Sequence, residues 1–134
     1  MKFTENNKYD LKFFIYIDFN KEEVMIMQTY DLIKMGLDAT NLRSQVIAHN
    51  IANAHTQGYK SKYVTFEETL SNLEKGDTPK IEVKESNSVM RYDGNNVDLE
   101  SEKVNQASTS LQYNALVSIL NIKMATAKSV IAGK

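Results

Sequence analysis

The chain contains no cysteine and no tryptophan, and only one proline and five glycines among its 134 residues. Without cysteine there can be no disulfide, no thiolate nucleophile and no cysteine-ligated zinc. The scarcity of proline and glycine favours long regular elements over a series of tight turns. An excess of one charge is missing too. The 16 Lys+Arg against 17 Asp+Glu leave no overall field to draw in a nucleic acid or another polyanion. No apolar run approaches the ~20 residues that a membrane-spanning helix needs. The apolar stretch from Phe13 to Ile17 is short, is flanked by Asp10 and Asp18, and lacks the small-residue cleavage site of a secretory signal. Passage out of the cytoplasm, if it occurs, is therefore expected to use another route.

The sequence divides into four parts. Residues 1–24 are rich in Lys, Asn and aromatics and show no period of 2 or 3.6. Two readings of this extension stand side by side. One is a poorly ordered tail. The other is a mis-assigned start, because Lys21, Glu22, Glu23 and Val24 can be encoded by a purine-rich ribosome-binding stretch just before Met25 and Met27.

Residues 25–54 hold the first long helix, with Thr29 a suitable cap and its periodic part running from about Thr29 to Ala54. It carries two adjacent seams at 3/4 spacing. One is Leu32, Met35, Ala39, Leu42, Val46, His49, and the other is Ile33, Leu37, Thr40, Ser44, Ile47, Ile51. A helix on the outside of a compact domain normally shows one stripe.

Residues 55–97 carry Gly58, Gly76, Pro79 and Gly94, the spacing of a connector with recurrent turns. Two short β-prone runs lie within it, Tyr63 to Phe66 and Lys80 to Lys84. The second alternates like a strand with one face covered. At most a small hairpin is expected here, with Asp93 to Asn96 as a turn.

Residues 98–134 form the second long helix. Asp98 is its N-cap, Glu100 and Glu102 suit the positive end of the helix dipole, and Gly133 is the stop. It also has two seams. One reads Val104, Ser108, Leu111, Ala115, Ser118, Ile122, Ala125, Ser129, and the other Tyr113, Val117, Leu120, Met124, Ala127, Ile131. The expected fold is mainly α: two long terminal helices packed as an antiparallel coiled-coil-like pair and joined by the connector. Such a pair uses one seam of each helix and leaves the other apolar and exposed, a surface that marks an interface. The helix-interface residues read from this pattern are Ile33, Val46, Ile47, Leu111, Ala115, Val117, Leu120, Ile122, Met124 and Ile131. Surfaces that do not close on themselves build a ring or a helical tube.

The most specific local pattern is Gly36, Leu37, Ala39 and Leu42, followed by Asn50, Ile51, Ala52, Asn53, Thr56, Gly58, Tyr59 and Lys60. This assembly motif resembles the N-terminal signature of flagellar rod, hook and hook-associated proteins. The later run from Asp93 to Glu100, with Leu111 to Leu116, is similar to the corresponding part of proximal rod proteins of the FlgB type. Together the matches cover about residues 31–133. His49 and Gln57 depart from the usual pattern, and the N-terminal extension has no counterpart in it.

The motif also has a physical reading. Asn50 and Asn53 share one face at the helix end, and Gly58 can take a positive φ. Thr56 can bond the turn, and Tyr59 can bury its ring while keeping its hydroxyl bonded. Together these residues would fix the angle at which the connector leaves the helix.

The resemblance implies a structural subunit of the basal-body rod, exported by the flagellar type III apparatus without a cleaved signal peptide and resident in the periplasmic rod. The partners it implies are other rod subunits, the rod adaptor at the membrane ring and the export gate. It implies no cofactor, no nucleic acid and no small-molecule substrate. The seams alone would equally fit a cytoplasmic helical adaptor that closes as a dimer or bundle. An enzyme is disfavoured, because no acid, base and nucleophile converge in the pattern and no phosphate loop is present. His49 and His55, six residues apart without a clear third ligand, make a poor metal site.

Overall fold

A computed structural model of the chain describes residues 8–67, 79–88 and 91–133, with residues 8–28 described by their backbone alone. The order of elements is α1 (Lys8–Ala52), β1 (Lys62–Thr65), β2 (Glu82–Glu85) and α2 (Leu99–Ile131). The chain divides into two units, one ending at Leu32 and one beginning at Ile33. In the first, residues 8–32 carry helical backbone. This differs from the sequence reading, which starts the regular helix near Thr29 and leaves residues 1–24 without assigned structure. The physical reason is plain: neither proline nor glycine occurs between Lys8 and Gly36, so nothing breaks the hydrogen-bond ladder where the amphipathic period is lost. Residues 1–7 of the proposed extension lie outside the described residues.

In the second unit α1 and α2 run antiparallel, which their side-chain bonds demonstrate directly. Gly36 faces Leu116, Arg43 donates to Gln112 at 2.8 Å, Gln106 donates to Ser44 at 3.0 Å, and Asn50 donates to Glu102 at 2.9 Å. As the number on one helix rises, its partner's falls. The inward row of α1 is Ile33, Gly36, Thr40, Arg43, Ile47 and Asn50, and that of α2 is Glu102, Gln106, Thr109, Leu116 and Leu120. Each row keeps the 3/4 spacing of a helix pair. A Cβ on Gly36 would stand 3.2 Å from the Leu116 side chain and 4.0 Å from Phe66, so this glycine gives both the room to approach.

Strands β1 and β2 pair antiparallel, with Val64 opposite Val83 and Lys62 opposite Glu85. The inner end of β1 is buried at Val64 and Thr65 and continues into buried Phe66. By contrast β2 is exposed along its whole length, whereas its alternation predicts one covered face. A two-stranded sheet resting on the helices through one strand leaves nothing to cover the second. Among the described residues the buried apolar ones are few: Ile33, Ala39, Val46, Ile47, Ala54, Val64, Phe66 and Val97. They cluster where α1, β1 and the entry to α2 meet, and not along α2.

The ends of α2 are set by local chemistry. Asp98 is extended and accepts from the amides of Glu100 and Ser101 and from the Ser101 hydroxyl, so it satisfies donors that a helix start leaves open. After Ile131 the chain turns at Gly133, whose φ is +65°. No helix among the described residues is long and apolar enough to cross a membrane.

Candidate functional site

Two asparagines, Asn50 and Asn95, are the largest fully buried side chains among the described residues. An amide is costly to bury unless its groups are bonded, and both are. Asn50 lies in the last turn of α1. Its Nδ2 donates to the Lys62 carbonyl at 2.7 Å and to Glu102 Oε1 at 2.9 Å, while its Oδ1 accepts from the Lys62 amide at 2.9 Å and the Tyr59 hydroxyl at 3.1 Å. One side chain thus ties α1 to β1, to the turn before it and to α2.

Asn95 does the complementary work from the loop ahead of α2. Its Nδ2 donates to the carbonyls of Asn53 and Thr56, at 2.9 and 2.7 Å, and its Oδ1 accepts from the Val97 amide at 2.7 Å. Arg91 donates to the Ala54 carbonyl. The carbonyls of the turn that follows α1 are therefore bonded by the 91–96 loop, while those of His49, Asn50 and Ile51 in the last helical turn accept from Asn53 and Ala54. Asn96 adds a third tie, accepting from the Ser61 amide at 2.6 Å and donating to the Ser86 carbonyl at 3.0 Å. Around this corner Gly58 has a φ of +72° and Gly94 of +77°, the left-handed region open to glycine.

The assembly-motif residues fall into distinct places. Gly36, Ala39 and Asn50 are buried, while Leu37, Leu42, Asn53 and Tyr59 are half-buried. Ile51, Ala52, Thr56, Gly58 and Lys60 are exposed. Asn53 donates to the His49 carbonyl at 2.9 Å and accepts from the Thr56 hydroxyl at 3.1 Å, which closes the turn locally. The corner thus gathers Asn50, Asn53, Thr56, Gly58 and Tyr59, whereas Gly36 and Ala39 sit further up α1 on its inward side. Sequence reasoning missed Asn95, Asn96, Arg91 and Glu102 as parts of the corner. In the sequence the run Gly94, Asn95, Asn96 reads as a turn inside the stretch that carries the family resemblance, and Glu102 as a dipole partner, with no sign of the contacts they make. The signal available was two consecutive asparagines after a glycine, which satisfy neighbouring backbone as readily as they turn it.

Electrostatics follow this geometry. Burial pushes the Tyr59 hydroxyl up, with the charges of Glu102 and Glu85 adding to the effect. Burial likewise raises the Glu102 carboxyl; the Asn50 bond opposes that rise and Asp98 adds to it. Outside the corner, Arg43 grips Glu67 with two bonds of 2.7 Å and Gln112 with a third. Burial works to raise the Glu67 carboxyl, but the Arg43 contacts prevail and hold it below the usual carboxylate range.

The second feature is the outward side of α2. Val104, Ser108, Leu111, Ala115, Ser118, Ile122, Ala125 and Ser129 are all exposed, with Leu111 at 71% and Ile122 at 66%. Of the residues read as helix interface, Ile33, Val46 and Ile47 are buried within the chain, and Val117 and Leu120 are half-buried. Leu111, Ala115, Ile122, Met124 and Ile131 stand exposed. The helix is thus partly inverted for a free-standing fold: polar Glu102, Gln106 and Thr109 share its inward side with Leu116 and Leu120, while Val104, Leu111 and Ile122 face out.

A flagellar basal body rod protein FlgB of Bacillus subtilis (strain 168) is 31% identical to this chain, over 78% of the chain and 94% of its own length. The chain belongs to the FlgB family of flagellar basal body rod proteins. FlgB of Borrelia hermsii is 34% identical over 66% of the chain and 84% of its own length. FlgB of Buchnera aphidicola is 24% identical over 81% and 97%. No family model matches the chain. These matches to FlgB span most of each relative's length, so the likeness is not confined to the Asn50 corner.

Proposed function

We propose that the chain is a structural subunit of the flagellar basal-body rod, and that its outward α2 seam is covered by neighbouring subunits. The observation that carries this reading is the partly inverted helix. A row of Val104, Leu111 and Ile122, with Ser108, Ala115 and Ser118 between them, repeats at 3/4 spacing and stands exposed among the described residues. Apolar rows of this kind mark interfaces. The small residues in the row allow another helix to come close, and the spacing is that of a coiled-coil seam. The Asn50–Asn95 corner serves the same end, because a repeating assembly needs one fixed angle between helix and connector.

The polar side chains of the corner are spent on backbone and on each other, which fits a structural part and not an enzyme. On this reading the partners are other rod subunits, the rod adaptor at the membrane ring and the type III export gate. The chain leaves the cytoplasm without a cleaved signal peptide and resides in the periplasmic rod. Deletion of the gene followed by electron microscopy of basal bodies tests the proposal. Rings without a rod are expected, and normal filaments would overturn it.

A further inference from the structure

We propose that β2 is a pairing edge, at which two copies of the chain join antiparallel into one continuous sheet before either enters a larger assembly. The two edges of the hairpin differ. On β1 the outward amide and carbonyl of Lys62 are both bonded by Asn50, so the corner closes that edge. On β2 the residues opposite Lys62 and Val64 are Glu85 and Val83. Bonding positions alternate along an antiparallel pair, and the Ser86 amide donates to the Ser61 carbonyl at 2.8 Å, which fixes the alternation. The backbone groups of Val83 and Glu85 therefore point away from β1, and Ile81 keeps the same parity. Among the described residues nothing bonds this edge, and β2 is exposed along its length. An open edge is a template for another strand.

The order of charges names the occupant. A second β2 can lie antiparallel with Val83 opposite Val83. The outward groups of Val83 then meet each other, and those of Ile81 meet those of the partner's Glu85. Glu82 stands opposite the partner's Lys84, and Lys84 opposite the partner's Glu82. These are the non-bonded positions of the ladder, where side chains come closest. The nearest registers that keep the bonding positions set Glu82 on Glu82 or Lys84 on Lys84, and like charges directly opposite are unfavourable. The strand is thus complementary to itself in a single register. Within one chain the same two charges meet poorly, at 3.8 Å. Val83, 44% exposed, gains the partner's Val83 and extends the row begun by Val64.

Such a contact is two-fold and closes on itself, whereas the subunits of a tube repeat in one direction. The pairing therefore belongs to the unassembled chain, where it covers an edge that would otherwise recruit other strands. It uses a surface apart from the outward seam of α2 and does not rest on the rod reading.

The test is sedimentation equilibrium on the full chain carrying Leu111→Ser and Ile122→Ser, which removes association through the α2 seam. A reversible, concentration-dependent rise from the mass of one chain to that of two is expected. Glu82→Lys or Lys84→Glu, added singly, should weaken the association about tenfold, because each sets like charges opposite on both sides of the axis. Mixing the two variants restores opposite charges and should return the association to that of the parent. A parent that stays single at the highest concentration would overturn the proposal, as would charge variants that associate like the parent, or a mixture as weak as its parts. The chain has no cysteine, so Val83→Cys gives a reading that does not depend on the charge variants. The bonded pair holds its Cα atoms about 5.5 Å apart, within reach of a disulfide. Oxidation should link two copies through this residue and not through an exposed Lys103→Cys control, and equal yields would overturn the pairing. Rods built by a chain that never pairs would sink the pairing alone, and a paired chain that builds no rod would sink the rod reading alone.

Discussion

The backbone amide of Gly58 donates to the carbonyl of Asp93 at 2.9 Å, and a Cβ on Gly94 would lie 3.4 Å from the Cα of Gly58. Two turns far apart in sequence thus meet backbone to backbone, each at a positive φ. Gly58→Ala has open space for its methyl group, so its cost is conformational alone, about 1–2 kcal/mol. Urea unfolding should show a lower midpoint with an unchanged slope. A variant as stable as wild type would mean that the turn does not hold this geometry.

Asn50→Ala should be the most damaging single change at the corner. It strips four contacts from buried or half-buried groups at once: both backbone groups of Lys62, the Tyr59 hydroxyl and Glu102. The expected loss is about 2–4 kcal/mol, because the abandoned groups stay desolvated. Asn53→Ala, whose bonds to the His49 carbonyl and Thr56 hydroxyl are exposed, should cost under about 1 kcal/mol. Equal losses in chemical denaturation would contradict the ranking.

Acid should loosen the start of α2. Asp98 is held below its ordinary range, first by the Ser101 hydroxyl and then by the amides of Ser101 and Glu100. The stability it lends is present above the ordinary aspartate range and is lost as pH falls through the depressed value. Asp98→Ala should fray the start of α2, seen as faster hydrogen exchange at the Glu100 and Ser101 amides at neutral pH. Unchanged exchange there would mean that the cap does not protect the first turn.

Gly36→Ala sets two effects against each other. Alanine favours a helix by about 1 kcal/mol over glycine, while its methyl group would press on Leu116 at 3.2 Å. The flexible end of Leu116 can give, so the change should leave stability within about 1 kcal/mol of wild type. Gly36→Leu cannot be absorbed in this way and should weaken the helix pair in thermal unfolding. A Gly36→Leu chain as stable as wild type would show that the close approach at Leu116 is not maintained.

The sequence made the two helices, the hairpin, the cap at Asp98 and the positive φ at Gly58 legible, because each rests on local chemistry. The seams were harder to assign. Periodicity identifies a row of aliphatic side chains but cannot say whether its partner is in the same chain, and here the row Val104, Leu111, Ile122 faces out. The seam of Ile33, Thr40 and Ile47 shows half of the inward row, but Arg43, Asn50, Glu102, Gln106 and Thr109 are invisible to an apolar search because they are polar. The same blindness hid Asn95, whose value lies in carbonyls about forty residues away. The start of α1 at Lys8 escaped because helical backbone does not require an amphipathic period when no residue breaks it.

The central claim is that the outward seam of α2 is finished by neighbouring subunits and does nothing for the isolated fold. Leu111→Ser with Ile122→Ser tests it most directly, with stability of the purified chain and rod formation in cells measured together. Stability within about 0.5 kcal/mol of wild type is expected, since exposed side chains contribute little, together with basal bodies that lack a rod. Normal rods built from the doubly substituted chain would contradict the account.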